Sequence, residues 1–450
     1  MYDSSIYFRD AFHAAASGMD AQTSFFRTMS QITGWVAPGL SKSYDMLAQA
    51  SSTAATLSHR FGRANTKPSF NIGSTVIDGQ NFRVTEEAIA GGPFGVLKHF
   101  KREPSEAQAP INLGQQPKLL LVAPMSGHHA TIFRETVRNL LPDHDIYVTD
   151  WTDARMVPIN AGKFDLDDQI DYVQSFIETI GPNTHVLGYS QSTVPVLSAV
   201  SLLAAKQSPA QPLSMILVAG PIDPTISETG VGKLARDHSM NEFEGLISQV
   251  PLEHAGAGRP VYSGRTQLMA LSCADPAKRL QVYNSLLQHT YLGHTVEAAK
   301  LTAECDEYES TFDIPREHWL DMIRYFKTNP IGNGTMKHRG VPVNPGAITK
   351  TAILTLEGDH DKIVGLGQTS IVHKLAGNLP LSMKFHHICN GADHYTVMDP
   401  NLVANFVYKA EGKKVILFDS PSVTKTPHDA DRKPPAVTPA LPDYFGHDLH

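Results

Sequence analysis

The chain has 450 residues, 41% hydrophobic and 18% charged, with a formal net charge of −7. That excludes disordered and collagen-like classes and leaves room for one large domain with insertions or two to three domains. The mild acidity argues against a nucleic-acid binder, which carries a basic face.

Three cysteines, Cys273, Cys305 and Cys389, are odd in number and widely spaced. Neither a disulfide framework nor a cysteine metal site is expected from them. The first ten residues lack a basic stretch followed by an apolar one, so no secretory signal is read there. The longest apolar runs, such as 194–205, fall short of the roughly 18 residues that cross a membrane. These features predict a cytoplasmic protein with no membrane span, in which Asn333-Gly334-Thr335 is a chance sequon.

Residues 1–65 are rich in Ala, Ser and aromatic residues and predict an N-terminal segment of two helices broken near Pro38-Gly39. Phe8, Phe12, Phe25 and Phe26 could form an apolar stripe packed against the main domain. Strand patterns follow at 83–89 and 94–100, around a turn containing Gly91-Gly92-Pro93, and 104–117 reads as a polar linker. From there apolar runs at 119–123, 146–149, 185–188, 215–219, 351–356 and 383–388 alternate with helical patterns at 131–141, 165–180, 193–205, 369–376 and 401–409. Such alternation predicts an α/β fold, a mostly parallel sheet with helices on both faces. The core is assigned to 66–220 and 349–412. The interval 221–348 contains no convincing buried strand and has helical stretches at 275–291, 296–305 and 315–326, which makes it a cap or lid candidate. Residues 413–450 read as a proline-rich, extended tail.

The chemistry concentrates at Gly188-Tyr189-Ser190-Gln191-Ser192, between the run 185–188 and the helical pattern 193–205. This approximates the G-x-S-x-G nucleophile elbow, with Ser192 in place of the second glycine. A serine nucleophile needs a base, and the base an orienting acid, following in the order Ser, Asp or Glu, His. The run 351–356 leads into Glu357-Gly358-Asp359-His360-Asp361, and 383–388 into Gly391-Ala392-Asp393-His394. Asp361 is the preferred acid, with Asp359 and Glu357 as alternatives. His394 is the preferred base, because His386 and His387 fall inside a strand. The oxyanion hole is assigned to the Gln191 N–H and a second donor, Met125 or Ser126, in the loop after 119–123. His128 and His129 are adjacent and point apart, so they do not suggest a metal pair. The run Asp165, Asp167, Asp168 and Asp171 lacks the glycine and terminal Glu of a calcium loop and reads as a solvated helix N-terminus. No nucleotide-binding glycine motif occurs in strand–helix context, and no cofactor or metal is expected.

Several stretches together resemble the intracellular poly(3-hydroxybutyrate) depolymerase family. They are Leu121-Val122-Ala123-Pro124-Met125-Ser126-Gly127-His128, the run from Leu141-Pro142-Asp143 to Thr149-Asp150-Trp151, Gly220-Pro221-Ile222-Asp223, His338-Arg339-Gly340-Val341-Pro342-Val343, Thr355-Leu356-Glu357-Gly358 and Gly365-Leu366-Gly367-Gln368-Thr369. The resemblance spans roughly 70–412. It implies an α/β-hydrolase fold, hydrolysis of stored polyester to 3-hydroxybutyrate oligomers and monomer, and association with polymer granules. It also implies a nucleophile at Ser190, an acid at Asp361 and a base at His394. Family members carry cysteine at the nucleophile position; serine here calls for a hydroxyl activated by His394. The alternatives are a polyester synthase-like acyltransferase, a general carboxylesterase or lipase, and a non-catalytic granule protein. A homo-oligomer is possible.

Overall fold

The computed structural model describes residues 2–34, 37–62, 67–103, 113, 116–274, 276–399, 403 and 438–439. Two long helices, α1 (Tyr2–Thr33) and α2 (Pro38–Gly62), come first. Three strands follow: β1 (Ser74–Ile77), β2 (Gln80–Gly92) and β3 (Gly95–Glu103). The alternating part then runs β4 (Lys118–Val122), α3 (Arg134–Leu140), β5 (Asp145–Trp151), α4 (Leu166–Ile180), β6 (Thr184–Tyr189), α5 (Thr193–Ala205) and β7 (Ser214–Val218).

An insertion follows. Its helices are α6 (Gly230–Asp237), α7 (Met240–Glu244), α8 (Gly264–Ala274), α9 (Pro276–Tyr291), α10 (Thr295–Glu309) and α11 (Arg316–Thr328). Its strands are β8 (Ile247–Gln249), β9 (Pro260–Tyr262), β10 (Ile314–Pro315), β11 (Lys337–His338) and β12 (Val341–Pro342). The chain re-enters the main sheet with β13 (Ala352–Gly358), α12 (Val372–Leu375) and β14 (Lys384–Cys389). Of 413–450, read from sequence as a tail, only β15 (Thr438–Pro439) is described, and it pairs with β14.

The main sheet has the order β1-β2-β3-β5-β4-β6-β7-β13-β14-β15. From β5 through β14 all neighbours are parallel, and β1, β2 and β3 add an antiparallel margin. That order and those directions make an α/β-hydrolase fold. The central strands β6, β7 and β13 are buried along their whole length. They read as continuous apolar runs because helices cover both faces of a parallel sheet. Helix α5 is apolar all round and buried from Thr193 to Ala204, as a helix enclosed on every side must be. Helix α4 starts with a capping box in which Asp165 and Asp168 each accept the other's backbone N–H.

Four expectations are corrected. The interval 221–348, read as lacking a convincing buried strand, contains short ones: β8, β9 and the buried β10 form a small antiparallel sheet, and β11 pairs with β12. Strands of two or three residues, three of them including a proline, are too short to show an alternating pattern. The helix expected at 369–376 shrinks to α12, because the buried Glu357 carboxylate accepts the N–H groups of Gly367, Thr369 and Ser370 and turns the backbone around itself. The acidic start of α4 is not merely solvated: Asp168 and Asp171 pair with Arg339, in the turn between β11 and β12. Finally, α1 and α2 pack on each other, and α2 leans on the insertion rather than on the sheet. Arg60 holds Asp306 and Glu309 of α10. Phe25 is exposed and Phe26 stacks on Tyr44, while the side chains of Phe8 and Phe12 lie outside the described residues. So do nearly all of the 104–117 linker and of the helix expected at 401–409.

The core holds several histidines in neutral form. Burial pushes His129, His185, His318 and His373 down to about 3 and His144 down to about 4. In an unfolded chain each titrates near 6.5, so below that pH the unfolded state binds more protons. Stability therefore falls as pH drops from about 6.5 towards 3–4. Asp153, pushed up to about 6 mainly by burial, works the opposite way between its usual 3.8 and 6. Glu307 and Asp321 are likewise pushed up by burial, so three acids oppose the five histidines and His386, which burial also lowers, and the histidines stay in control. The thermal midpoint, followed by circular dichroism, is expected to fall steeply between pH 6.5 and 4.5. A flat midpoint across that range would contradict these burial shifts.

Candidate active site

The site forms beyond the C-terminal ends of β6, β13 and β14, where open α/β sheets place their ligands. Strand β6 ends at Tyr189, and Ser190 takes φ +55° before α5 begins. A non-glycine residue in that region is held by its surroundings, as at a nucleophile elbow. Gly188 packs closely here: a Cβ would lie 3.1 Å from Val196 Cγ2 and 3.2 Å from the Thr193 Cα, so a larger residue would have to push the start of α5 aside. Ser192, where the motif has glycine, fits because its hydroxyl is used. It accepts the Tyr189 N–H at 2.8 Å and donates to the Val122 carbonyl at 2.6 Å, tying the turn to the end of β4.

Three distant residues meet at this turn. His394 Nε2 lies 2.9 Å from Ser190 Oγ, and His394 Nδ1 lies 2.7 Å from Asp361 Oδ2. The other Asp361 oxygen accepts the N–H groups of Ile363 at 2.7 Å and Val364 at 2.9 Å. Tyr189 donates its hydroxyl to the His394 carbonyl at 2.8 Å, so the residue before Ser190 also fixes the histidine loop. The acid and histidine loops touch at Gly358, where a Cβ would lie 2.4 Å from the Ala392 carbonyl oxygen.

The other sequence candidates sit elsewhere. Asp359 accepts the Gly391 N–H at 2.6 Å, bracing the histidine loop. Glu357 is occupied by the three N–H groups already described. His386 lies in β14 with its Nδ1 at 2.9 Å from Thr355 Oγ1, and His387 lies in the same strand. His128 faces Tyr395 and the ring of Tyr308 on α10, whereas His129 packs on Phe312. Among the described residues no three His, Cys, Asp or Glu side chains gather to hold a metal ion.

Around the expected oxyanion loop, the Met125 N–H donates to Gln191 Oε1 at 2.9 Å. Gln191 in turn donates from Nε2 to Gln169 Oε1 at 2.9 Å, and that oxygen also lies 2.8 Å from His318 Nε2. This buried polar chain and the Tyr189 contact were invisible to sequence reasoning, which has no signal for a glutamine side chain aimed at a loop 66 residues away in sequence.

Residues 219–410 match the family model described as the PHB de-polymerase C-terminus. That stretch of the chain is similar to the C-terminal region of PHB de-polymerases. It includes Asp361 and His394, while Ser190 lies before it. The match supports ester hydrolysis in general. No curated protein matches the chain. Among solved structures, similarity extends to a serine hydrolase from Cycloclasticus zankles, at 14% identity over 72% of this chain and 97% of that one, with a TM-score of 0.42. A thioesterase domain from the curacin biosynthetic pathway is 12% identical over 72% of this chain and 99% of that one, TM-score 0.40. A meta-cleavage product hydrolase from Pseudomonas fluorescens is 12% identical over 73% and 95%, TM-score 0.38. At these scores the fold assignment rests on the strand order alone.

Proposed function

We propose that this PHB de-polymerase-like protein is a serine esterase that cleaves poly(3-hydroxybutyrate) or a related short-chain polyhydroxyalkanoate. The observation that carries the reading is the continuous Ser190–His394–Asp361 hydrogen-bond chain at a strained elbow. The polyester substrate is carried by the family match over 219–410. Ser190 Oγ attacks the ester carbonyl while His394 Nε2 takes its proton. The carbonyl oxygen becomes an oxyanion, received by the Gln191 N–H and a donor from the loop after β4. Collapse expels the alcohol end of the chain, which takes the proton back from His394, and leaves an acyl-Ser190 ester. Water, deprotonated by His394, then attacks that ester and releases the acid end. Asp361 keeps the Nδ1 proton in place and stabilises the imidazolium. No cofactor enters these steps. In this reading the insertion 221–348 roofs the site and offers aromatic surface such as Tyr308 beside His128 and Tyr395, and the protein works at granule surfaces.

The test is product analysis on amorphous granules, beside a short p-nitrophenyl ester. Release of 3-hydroxybutyrate and its oligomers is expected. Turnover of the short ester with no release from granules would replace this reading by a general carboxylesterase.

A further inference from the structure

The reading above needs a second oxyanion donor, and the loop 125–128 shows how one could be singled out. Its Met125 N–H is taken from inside by Gln191 Oε1. Its Gly127 N–H is taken from outside by Gln267 Oε1 at 2.9 Å. Gln267 belongs to α8 of the insertion, is buried, and donates from Nε2 to the Phe312 carbonyl at 2.8 Å. Its carboxamide therefore has both ends engaged and can take few other positions. The insertion holds the same loop twice more. His128 forms an isolated antiparallel bridge with Thr311, and His129 packs on the Phe312 ring with centroids 5.0 Å apart. Between the two occupied N–H groups, Ser126 N–H has no partner among the described residues, and Ser126 alone of 121–130 is half-buried while the others are buried.

We propose that Gln267 is a positioning residue for catalysis. By clamping the Gly127 N–H it fixes the loop with the Ser126 N–H as the second oxyanion donor, so that the insertion builds part of the reaction centre as well as covering it. This rests on the serine-esterase reading. It adds that the hole is completed by a side chain that arrives only when the insertion is docked. A loop free to tilt would present its donor in the wrong place, and misplacement of about 1 Å can cost on the order of 10²-fold in rate.

The experiment uses the full chain and three variants: Gln267→Leu, Ser126→Pro and the double variant. Kinetics are read on a p-nitrophenyl ester, inhibition with a trifluoromethyl ketone that forms a tetrahedral oxyanion adduct, and amide exchange on the peptide covering 124–130. Ser126→Pro removes the donor and is expected to lower kcat by about 10²–10³. Gln267→Leu is expected to lower kcat by roughly 10–10² with KM within about twofold, to weaken the ketone by the same factor, and to speed exchange of the peptide. The double variant should be no slower than Ser126→Pro alone, since both act on one donor. Unchanged kcat and ketone affinity in Gln267→Leu would overturn the proposal, as would fully additive losses. If Gln267→Leu fails to fold, Gln267→Glu keeps an acceptor for the Gly127 N–H and should retain slow exchange of the peptide. Fast exchange in that variant would equally overturn the clamp. Were the wild type to show no esterase turnover, the serine-esterase reading would fail, whereas the exchange arm would still report on the clamp.

Discussion

Ser190→Ala is expected to lower ester turnover by about 10⁶-fold, with His394→Ala close behind and the double variant no worse than either. The reason is geometric. Ser190 Oγ has one base within reach, His394 Nε2 at 2.9 Å, and the two perform a single step. Removing either abolishes attack and proton transfer together, and what survives comes from binding and the oxyanion donors. Alanine tolerates the φ of +55° no worse than serine does, so the fold should survive the substitution. Labelling separates this from a thiol mechanism. A fluorophosphonate should modify Ser190 in the wild type and nothing in Ser190→Ala. Cys305 and Cys389 are buried, and burial pushes the Cys389 thiol up to about 11. A thiol reagent should therefore leave turnover largely intact. A Ser190→Ala protein that hydrolyses ester like its parent would overturn the assignment.

How much of this was legible depends on how locally each feature is encoded. Helix α5 and strands β6 and β7 were placed almost to the residue, because burial on both faces writes itself into an unbroken apolar run. The four-residue first strand β1, buried only at Thr75 and Ile77, left no such trace. Nor did β8, β9 and β10, whose partners are fixed by the fold of the insertion and not by their own pattern. The side of the molecule on which α1 and α2 lie is set by Arg60 reaching Asp306 and Glu309, some 250 residues on, and no local periodicity reports that.

The site divides the same way. An elbow between a strand and a helix is a local signal, so Ser190 stood out. Chain order and the ends of two strands narrowed the acid and base to a few residues. Choosing among Glu357, Asp359 and Asp361 requires knowing which backbone N–H groups each carboxylate faces. That is a property of the folded loops: Glu357 turns inward to 367–370, Asp359 turns to Gly391, and Asp361 meets His394. The oxyanion loop was still less legible, since the bonds that occupy Met125 and Gly127 come from glutamines far away in sequence.

Those loop contacts give the second large effect a sharp form. Asp361→Asn should lower turnover by roughly 10⁴-fold. In the wild type Oδ1 accepts two N–H groups, from Ile363 and Val364, and Oδ2 accepts from His394 Nδ1. An asparagine has one acceptor and one donor group. Two backbone donors at 2.7 and 2.9 Å will claim its oxygen. Its NH₂ must then point at His394 Nδ1, which can receive it only as the unprotonated nitrogen. The ring proton moves to Nε2, facing Ser190 Oγ, and the base is gone while every atom stays nearly in place. Asp359→Asn keeps an oxygen for the Gly391 N–H and should change turnover only mildly. Glu357→Gln should act on stability more than on rate, since three N–H groups converge on one of its oxygens within the fold. The measurement is the pH–rate profile of the three variants beside their thermal midpoints. Because the base in Asp361→Asn is held in the wrong tautomer, its residual activity should rise where hydroxide can replace it, at high pH. A variant that instead keeps the wild-type profile at near wild-type rate would show that another carboxylate orients His394.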